Sequence, residues 1–246
     1  MSFSPEEVER YARHLVLREI GGPGQQALKA SRVLIVGAGG LGAPAALYLA
    51  AAGVGVLGLA DDDTVGMSNL QRQVLYATED IGRLKVDVAS NRLADLNPHV
   101  QIEAHAVAVT ADNAREVVSG YDLVLDGTDN FDVRFAVSDA CVAEGKTLVS
   151  GAIGRWTGQV GVYPPGQACY RCLVPEAPPD AETCSAVGVV GALAGVIGSM
   201  MALEAIKLIT GAGDPLAGRL FIYDALSAET RTVRLSKDPA CPACGA

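Results

Sequence analysis

A glycine-rich turn between an apolar run and an alanine-rich segment constrains the fold of this chain more than any other feature. The run Val33-Leu34-Ile35-Val36 is apolar throughout, which is typical of a strand buried on both faces of a sheet. Gly37-Ala38-Gly39-Gly40-Leu41-Gly42 follows at once, and residues 41–52 predict a helix that Gly53 ends. The glycines Gly37, Gly39, Gly40 and Gly42 let the backbone approach a phosphate at the helix N-terminus. The pattern predicts a β-α-β unit that binds ATP or a dinucleotide, without distinguishing the two.

Strands and helices continue to alternate as far as residue 151. Apolar runs predict strands at residues 54–59, 100–103, 121–126 and 147–150, and periodic segments predict helices at residues 84–96, 111–119 and 130–144. Beyond Gly151 the alternation stops, and short connections join predicted strands at residues 159–163, 219–223 and 230–235. The predicted fold class is α/β, with a Rossmann-like, mostly parallel sheet and an antiparallel far edge.

The N-terminal residues predict a capped helix ahead of the glycine turn. Ser4 is a suitable N-cap, Pro5 suits the first helical position, and Glu7 completes a capping box. We expect this helix to run through Arg13. Gly21-Gly22-Pro23-Gly24 is then expected to break the chain before a short second helix.

Composition and charge exclude several classes of protein. Half of the 246 residues are apolar and the formal net charge is −9, so no basic surface of the kind that binds nucleic acid is expected. The first residues lack the basic and apolar pattern of a secretory signal, which favours a cytoplasmic location. Residues 186–203 are uncharged and approach the roughly 20 residues of a membrane span. Glu204 and Lys207 follow this stretch at once and continue the same helix with a charged face. We therefore expect a buried helix and no membrane span.

Charged side chains follow the glycine turn in an order that suits a nucleoside triphosphate. Asp61 lies about 20 residues beyond the turn, at the end of the second predicted strand, where it can hold a ribose hydroxyl. Arg72 and Lys85 can neutralise phosphate charge, although a single Arg or Lys is more commonly a solvated surface residue. No G-x-x-x-x-G-K-[ST] segment is present, which excludes an ordinary P-loop.

A carboxylate also follows the fourth predicted strand, in Asp126-Gly127-Thr128-Asp129-Asn130. The carboxyl ends of the strands form the ligand crevice in an open α/β sheet. Asp129 is therefore a candidate magnesium ligand beside the phosphates. Asp129 or Asn130 can also cap the next helix, and the two roles are compatible.

Cysteines form two close pairs, Cys169-x-x-Cys172 and Cys241-x-x-Cys244. Four thiolates suit a tetrahedral zinc ion, which would staple the C-terminal segment to the middle of the chain. A redox site or unrelated thiols are the alternatives. Cys184 stands alone between a proline-rich loop and the apolar helix, where it is either a covalent group, forming a thioester or persulfide link, or an idle cysteine. Cys141 is expected in the core.

Taken together, these residues resemble the ThiF/MoeB family of adenylyltransferases, relatives of the ubiquitin-activating enzymes, over essentially the whole chain. The resemblance rests on the glycine turn, the Asp-Thr-Val and Ser-Asn-Leu-Gln-Arg-Gln runs, Thr128-Asp129-Asn130 and the paired cysteine motifs. It implies a homodimer with ATP and Mg²⁺ in each subunit. By position, Asp61 would contact the ribose, Asn69, Arg72 and Lys85 the phosphates, and Asp129 the metal. Arg13 would reach the triphosphate from the partner subunit.

The same resemblance implies a reaction and its partners. The enzyme would adenylate the C-terminal glycine carboxylate of a small β-grasp sulfur-carrier protein ending in Gly-Gly, before thiocarboxylation. Sulfur is expected from a separate donor, such as a cysteine desulfurase or rhodanese, because the sequence ends soon after Cys244 without a rhodanese-like domain. We expect one domain over residues 1–246: N-terminal helices (1–30), a nucleotide-binding part (31–151), and the antiparallel edge with the zinc site and the carrier-binding part (152–246).

Two other functions are consistent with parts of the pattern. An NAD-dependent oxidoreductase would use the same glycine turn, but Arg72, Lys85 and the cysteine pairs argue against it. A scaffold that binds the carrier without chemistry would not need Arg13 and Asp129. The sequence leaves the pathway open among molybdopterin, thiamin, cysteine and tRNA thiolation.

Overall fold

One sheet forms the centre of the computed structural model, which describes residues 2–178 and 188–245. Its strands are β1 Arg32–Val36, β2 Val56–Ala60, β3 Gln101–His105, β4 Leu123–Asp126, β5 Thr147–Gly154, β6 Thr157–Tyr163, β7 Arg219–Asp224 and β8 Glu229–Arg234. They lie in the order β3-β2-β1-β4-β5-β6-β7-β8. The pairs from β3 to β5 are parallel and those from β5 to β8 antiparallel. The predicted α/β fold with its antiparallel far edge is confirmed.

Helices cover both faces of the sheet because its central strands are apolar on both sides. They are α1 Pro5–Arg10, α2 Ala12–Leu15, α3 Gly21–Ala30, α4 Gly42–Ala52, α5 Lys85–Leu96, α6 Ala114–Ser119, α7 Phe131–Ala143, α8 Tyr170–Leu173 and α9 Gly191–Thr210. Val33 and Ile35 of β1 are buried in one apolar layer with α4, α5 and α9. Leu34 and Val36 are buried in the other, with α6 and α7. The glycine turn therefore leaves the sheet between two packed layers.

The N-terminal segment differs from the prediction in two ways. The Ser4 and Glu7 capping box is present, but α1 ends at Arg10 and a turn at Tyr11 separates it from α2, which carries Arg13. The expectation that residues 21–24 break the chain is wrong, because α3 begins there. Gly24 is buried, and a Cβ on it would lie 3.1 Å from Ile20 and 3.4 Å from Thr210 of α9. Close helix packing thus overrides the weak helix propensity of glycine.

The apolar stretch near the C-terminus forms α9, which continues past residue 203 to Thr210. By length and composition alone, this helix would suffice to cross a membrane. It packs against α3, α4, β5 and β6, and Leu193, Ile197 and Met201 are buried on the face toward the sheet. Glu204 is also buried, and its carboxylate accepts a hydrogen bond of 2.8 Å from the backbone N–H of Leu216. The prediction of a buried helix is confirmed for the face of α9 that packs against the sheet.

Candidate functional site

The turn between β1 and α4 requires glycine for steric reasons. Gly37 has a φ of 86°, a left-handed conformation that favours glycine. A Cβ on Gly42 would lie 1.8 Å from the carbonyl oxygen of Gly37. The turn can therefore fold back tightly and present the free N–H groups at the start of α4. A helix N-terminus with a close-approaching backbone is suited to bind phosphate.

A cleft of about 520 Å³ opens where β1, β2 and β4 end. The residues predicted to bind the nucleotide that line it are Gly37, Gly39, Gly40, Asp61, Asn69, Arg72, Lys85 and Asp129. Gly42 lies against the backbone of Gly37 and is not part of the lining. The residues converge because the carboxyl ends of parallel strands share one edge of a sheet.

Asp61 is fixed at the side of the cleft by backbone donors. Its carboxylate accepts hydrogen bonds from the N–H of Ala38 at 2.8 Å and of Asp63 at 2.9 Å. Burial raises the pKa of Asp61, and the charge of Lys85 partly opposes that shift. The Lys85 Nζ lies 2.8 Å from Asp63 Oδ2 and 3.9 Å from Asp61 Oδ1. The carboxylates hold the buried Lys85 ammonium at the cleft wall, where it can meet an incoming anion.

Of the two residues that could cap the helix after β4, Asp129 and Asn130, the structure shows that Asn130 does so. The Asn130 Oδ1 accepts hydrogen bonds from the N–H of Asp132 at 2.8 Å and of Val133 at 3.3 Å, which caps α7. Asp129 is exposed and lines the cleft. Within residues 2–178 and 188–245, no hydrogen bond or ion pair engages the Asp129 carboxylate. Its oxygens are thus available for a hard cation such as Mg²⁺.

A buried arginine that sequence reasoning missed anchors the loop carrying Asp129. Arg134 of α7 lies 3.4 Å from Asp126 Oδ2 and donates to Ser150 Oγ at 3.2 Å. It also donates to the carbonyl oxygens of Gly151, at 2.8 Å, and Thr128. Ser150 donates to Asp126 at 2.8 Å, which completes a buried network. An Arg eight residues beyond an Asp has no local pattern, so only the tertiary structure reveals this pair.

Arg13 does not join the other predicted residues. It is exposed on α2 and does not line the cleft of its own chain. The neighbouring His14 Nδ1 lies 3.0 Å from Oε1 of the buried Gln25, whose Nε2 donates to the carbonyl of Ala52 at 2.7 Å. The buried Tyr11 accepts a hydrogen bond of 2.9 Å from Asn97. The Arg13 segment is therefore anchored to the C-terminal end of α4, opposite the glycine turn.

The paired cysteines meet in space across the sequence. Their Sγ atoms all lie within 4.8 Å of one another, with separations of 3.5 Å for Cys169–Cys241, 3.4 Å for Cys172–Cys244 and 3.9 Å for Cys169–Cys172. A tetrahedron with zinc–sulfur bonds of about 2.3 Å has sulfur–sulfur edges of about 3.8 Å. The donor set therefore fits a tetrahedral metal ion, and the predicted four-cysteine cluster is confirmed.

The pKa shifts of the cysteine thiols differ in direction, and burial raises the pKa of Cys169 and Cys244 within the cluster. Burial raises the pKa of the Cys141 thiol to about 12, which is consistent with its predicted place in the core. Burial opposes ionisation of Cys241 as well, but hydrogen bonds from the backbone N–H groups of Cys244 and Ala243, together with those from the Cys169 and Cys244 thiols, outweigh it and lower its pKa to about 7. Thiolates are the metal-binding form. Cys184, the candidate covalent residue, lies outside the described residues.

The fold and the cleft define the class: an α/β protein with a glycine turn suited to bind phosphate and a cluster of four cysteines that joins α8 to the C-terminal segment. The ThiF family model matches residues 11–243, and the chain belongs to the ThiF family. It is 49% identical to the sulfur carrier protein adenylyltransferase of Thermus thermophilus, with 100% of this chain and 93% of that protein covered. It is 45% identical to the SAMP-activating enzyme E1 of Haloferax volcanii, over 100% of this chain and 92% of that protein.

Other relatives are longer than this chain. The probable adenylyltransferase/sulfurtransferase MoeZ of Mycobacterium tuberculosis is 47% identical, and the alignment covers 98% of this chain but 63% of MoeZ. Among solved structures, E. coli MccB with ATP matches with a TM-score of 0.85 and 23% identity, covering 96% of this chain and 75% of that chain. At that identity the likeness concerns the fold.

Proposed function

We propose that this protein uses ATP to adenylate the C-terminal glycine carboxylate of a small ubiquitin-like sulfur-carrier protein. The observation that carries the proposal is the convergence of the glycine turn with Asp61, Arg72, Lys85 and Asp129 on one cleft. Of two relatives that align over nearly their full length, one is named a sulfur carrier protein adenylyltransferase and the other a SAMP-activating enzyme E1. The cleft supports binding of ATP, and the relatives' names support a carrier protein as the substrate.

In the proposed reaction, a carboxylate oxygen of the carrier attacks the α-phosphorus of ATP. A new oxygen–phosphorus bond forms, and the bond to pyrophosphate breaks with its electron pair leaving on pyrophosphate. The product is an acyl adenylate. The attacking carboxylate is already ionised at neutral pH, so no general base is required. Catalysis then rests on positioning and on neutralisation of phosphate charge, which Arg72 and Lys85 provide from the cleft wall.

Asp61 and Asp129 have separate parts in this proposal. Asp61 accepts a hydrogen bond from a ribose hydroxyl, because it lies at the end of β2 beside the turn. Asp129 would hold Mg²⁺, which shields the phosphate charge when it is bound. The exposed, unpaired carboxylate of Asp129 in the cleft supports this assignment.

The active unit in this proposal is a homodimer. Arg13 is exposed and anchored away from the cleft of its own chain, which supports a role in the site of a partner subunit. A two-fold dimer would make that exchange reciprocal. A guanidinium is always charged, so it suits neutralisation of a triphosphate.

The cysteine cluster would hold zinc as a structural ion. Zinc bound by Cys169, Cys172, Cys241 and Cys244 would join the C-terminal segment to α8. Arg171, between the first two ligands, pairs with Asp139 of α7 at 2.8 Å, so the cluster is connected to the helix that follows the Asp129 loop. The staple would thereby stabilise one wall of the cleft.

Further steps of the proposal concern the partners. The carrier is a β-grasp protein whose Gly-Gly tail is narrow enough to enter a cleft between packed layers. A separate sulfur donor, such as a cysteine desulfurase or rhodanese, then attacks the acyl adenylate through the outer sulfur of its cysteine persulfide and displaces AMP. A thiol reductant cleaves the resulting S–S bond, which leaves a thiocarboxylate on the carrier. These reactions would take place in the cytoplasm.

Pyrophosphate exchange tests the proposal. We expect labelled pyrophosphate to enter ATP only when a Gly-Gly-terminated carrier is present, and Asp129→Ala to abolish the exchange. Asp112→Ala is the matched control, since Asp112 is an exposed acid outside the cleft. Full exchange without a carrier, or in Asp129→Ala, would contradict the assignment. Tight binding of NAD with no binding of ATP would favour the oxidoreductase alternative.

A further inference from the structure

A buried amide without a partner lies beside the glycine turn. Gln73 is 3% exposed, yet its Oε1 makes no hydrogen bond. In the described part of the chain, the other buried side-chain atoms in this condition are His99 Nε2 and Ser138 Oγ. His99 Nε2 lies 3.3 Å from a carboxylate oxygen of Glu6, and Ser138 lies outside the cleft. Of these three residues, Gln73 alone lines the cleft.

The position of Gln73 is fixed, and its amide is directed at the turn. The backbone N–H of Gln73 donates to the backbone carbonyl of Asn69 at 2.9 Å. The backbone carbonyl of Gln73 accepts a hydrogen bond from the N–H of Tyr76 at 3.1 Å. The Tyr76 hydroxyl in turn donates to the carbonyl of Ala38 at 2.7 Å. A Cβ on Gly39 would lie 3.5 Å from the Gln73 Nε2, so this nitrogen sits against the middle glycine of the turn.

We propose that Gln73 is a further nucleotide-binding residue, whose side-chain amide donates an N–H to a phosphate oxygen of ATP held on the glycine turn. This inference rests on the proposed function and adds a binding group to it. A primary amide offers two N–H donors, and a half rotation of its terminal group exchanges oxygen and nitrogen. A bound phosphate would select the orientation that directs N–H toward it.

A neutral donor has a clear place in this site. Lys85 is already paired with Asp63, and Arg134 with Asp126. Gln73 would add a hydrogen bond to an anion without adding a charge that must be compensated in the empty cleft. An amide buried without a partner lowers stability in the absence of ligand, and binding sites are the usual place for such a group.

Gln73→Met separates this role from a structural one. Methionine fills a similar volume without a polar group, so the ATP-free protein should melt at the same temperature as the wild type or higher. ATP affinity should fall by roughly 10- to 150-fold, the range for a lost hydrogen bond to a charged group. Isothermal titration calorimetry with ATP and Mg²⁺ measures the affinity, and thermal melting without ATP measures the stability. Gln73→Glu keeps the shape but places a negative charge near the phosphates, so it should bind ATP more weakly than Gln73→Met.

Gln101→Met is the matched control, because Gln101 is an exposed residue on β3 outside the cleft. It should leave ATP affinity unchanged. If the wild type itself fails to bind ATP, the proposed function fails before this inference is reached. If the wild type binds ATP and Gln73→Met binds it within about twofold of the same affinity, Gln73 is not a ligand. A third result is that Gln73→Met melts well below the wild type or fails to fold while Gln73→Glu retains full affinity for ATP. That result would show that Gln73 has a structural role and would overturn the proposal.

Discussion

Replacing Arg134 by methionine tests whether the buried network supports the Asp129 loop. Methionine is also a long side chain, but it is apolar, so the substitution removes the cation that pairs with Asp126. The Asp126 side chain is 1% exposed. It also removes the donors to the carbonyl groups of Thr128 and Gly151. The loop between β4 and α7 would then lose the link that Arg134 makes from Thr128 to Gly151 of β5.

The expected cost follows from what remains around Asp126. Loss of one partner from a buried ion pair costs about 3–5 kcal/mol. Because Ser150 and Thr128 still donate to the carboxylate, at 2.8 Å and 2.6 Å, we expect the lower end of that range. At about 2–4 °C per kcal/mol for a chain of this size, a loss of about 3 kcal/mol lowers the melting temperature by roughly 6–12 °C.

Urea unfolding followed by circular dichroism measures this effect. Arg115→Met is the control, since Arg115 pairs with Glu144 at 2.8 Å but its side chain is 68% exposed, and such pairs contribute about 0–1 kcal/mol. Adding Asp126→Asn to Arg134→Met should recover part of the lost stability, because it removes the unpaired buried charge. ATP affinity should fall in Arg134→Met and not in Arg115→Met. Equal, small costs for both single variants would refute the reasoning.

Three further predictions address the cysteine cluster, the partner subunit and the glycine turn. Cys241→Ser should lose bound zinc, detected by elemental analysis, and melt at a lower temperature; unchanged metal content would contradict the four-cysteine site. Arg13→Ala and Asp129→Ala should each be inactive, but after subunit exchange about half of the dimers are mixed and about a quarter of wild-type activity per site should return. No recovery, once mass spectrometry shows mixed dimers, would exclude a role for Arg13 in trans. Gly42→Ala should abolish ATP binding in calorimetry because its Cβ would lie 1.8 Å from a carbonyl oxygen, whereas Gly120→Ala, with nothing within 4 Å of its Cβ, should bind normally.

The parts of the fold that could be predicted depend on local pattern. The apolar run of β1 and the alanine-rich α4 are each recognisable from a few consecutive residues, and the left-handed Gly53 ends α4 as expected. The convergence of Asp61, Lys85 and Asp129 also follows from topology, because their strands and turns meet at one edge of the sheet.

The parts that were wrong or missed depend on distant contacts. The helix at residues 21–24 forms because Gly24 packs against α9, which lies far away in the sequence. Arg134 is defined by its buried partner Asp126, and Gln73 by a buried side-chain oxygen without a hydrogen bond. Neither feature can be read from the spacing of residues in the sequence. The position of Arg13 outside its own cleft likewise emerges only once α2 is anchored by Gln25.

The most direct test of the central claim is the intact mass of the carrier after incubation with this protein, ATP and Mg²⁺ in the absence of a sulfur donor. We expect the carrier to gain the mass of one AMP less one water, and the gain to disappear when its terminal glycine carboxylate is replaced by an amide. A carrier of unchanged mass, or one that gains AMP despite the amide, would contradict adenylation of the C-terminal carboxylate.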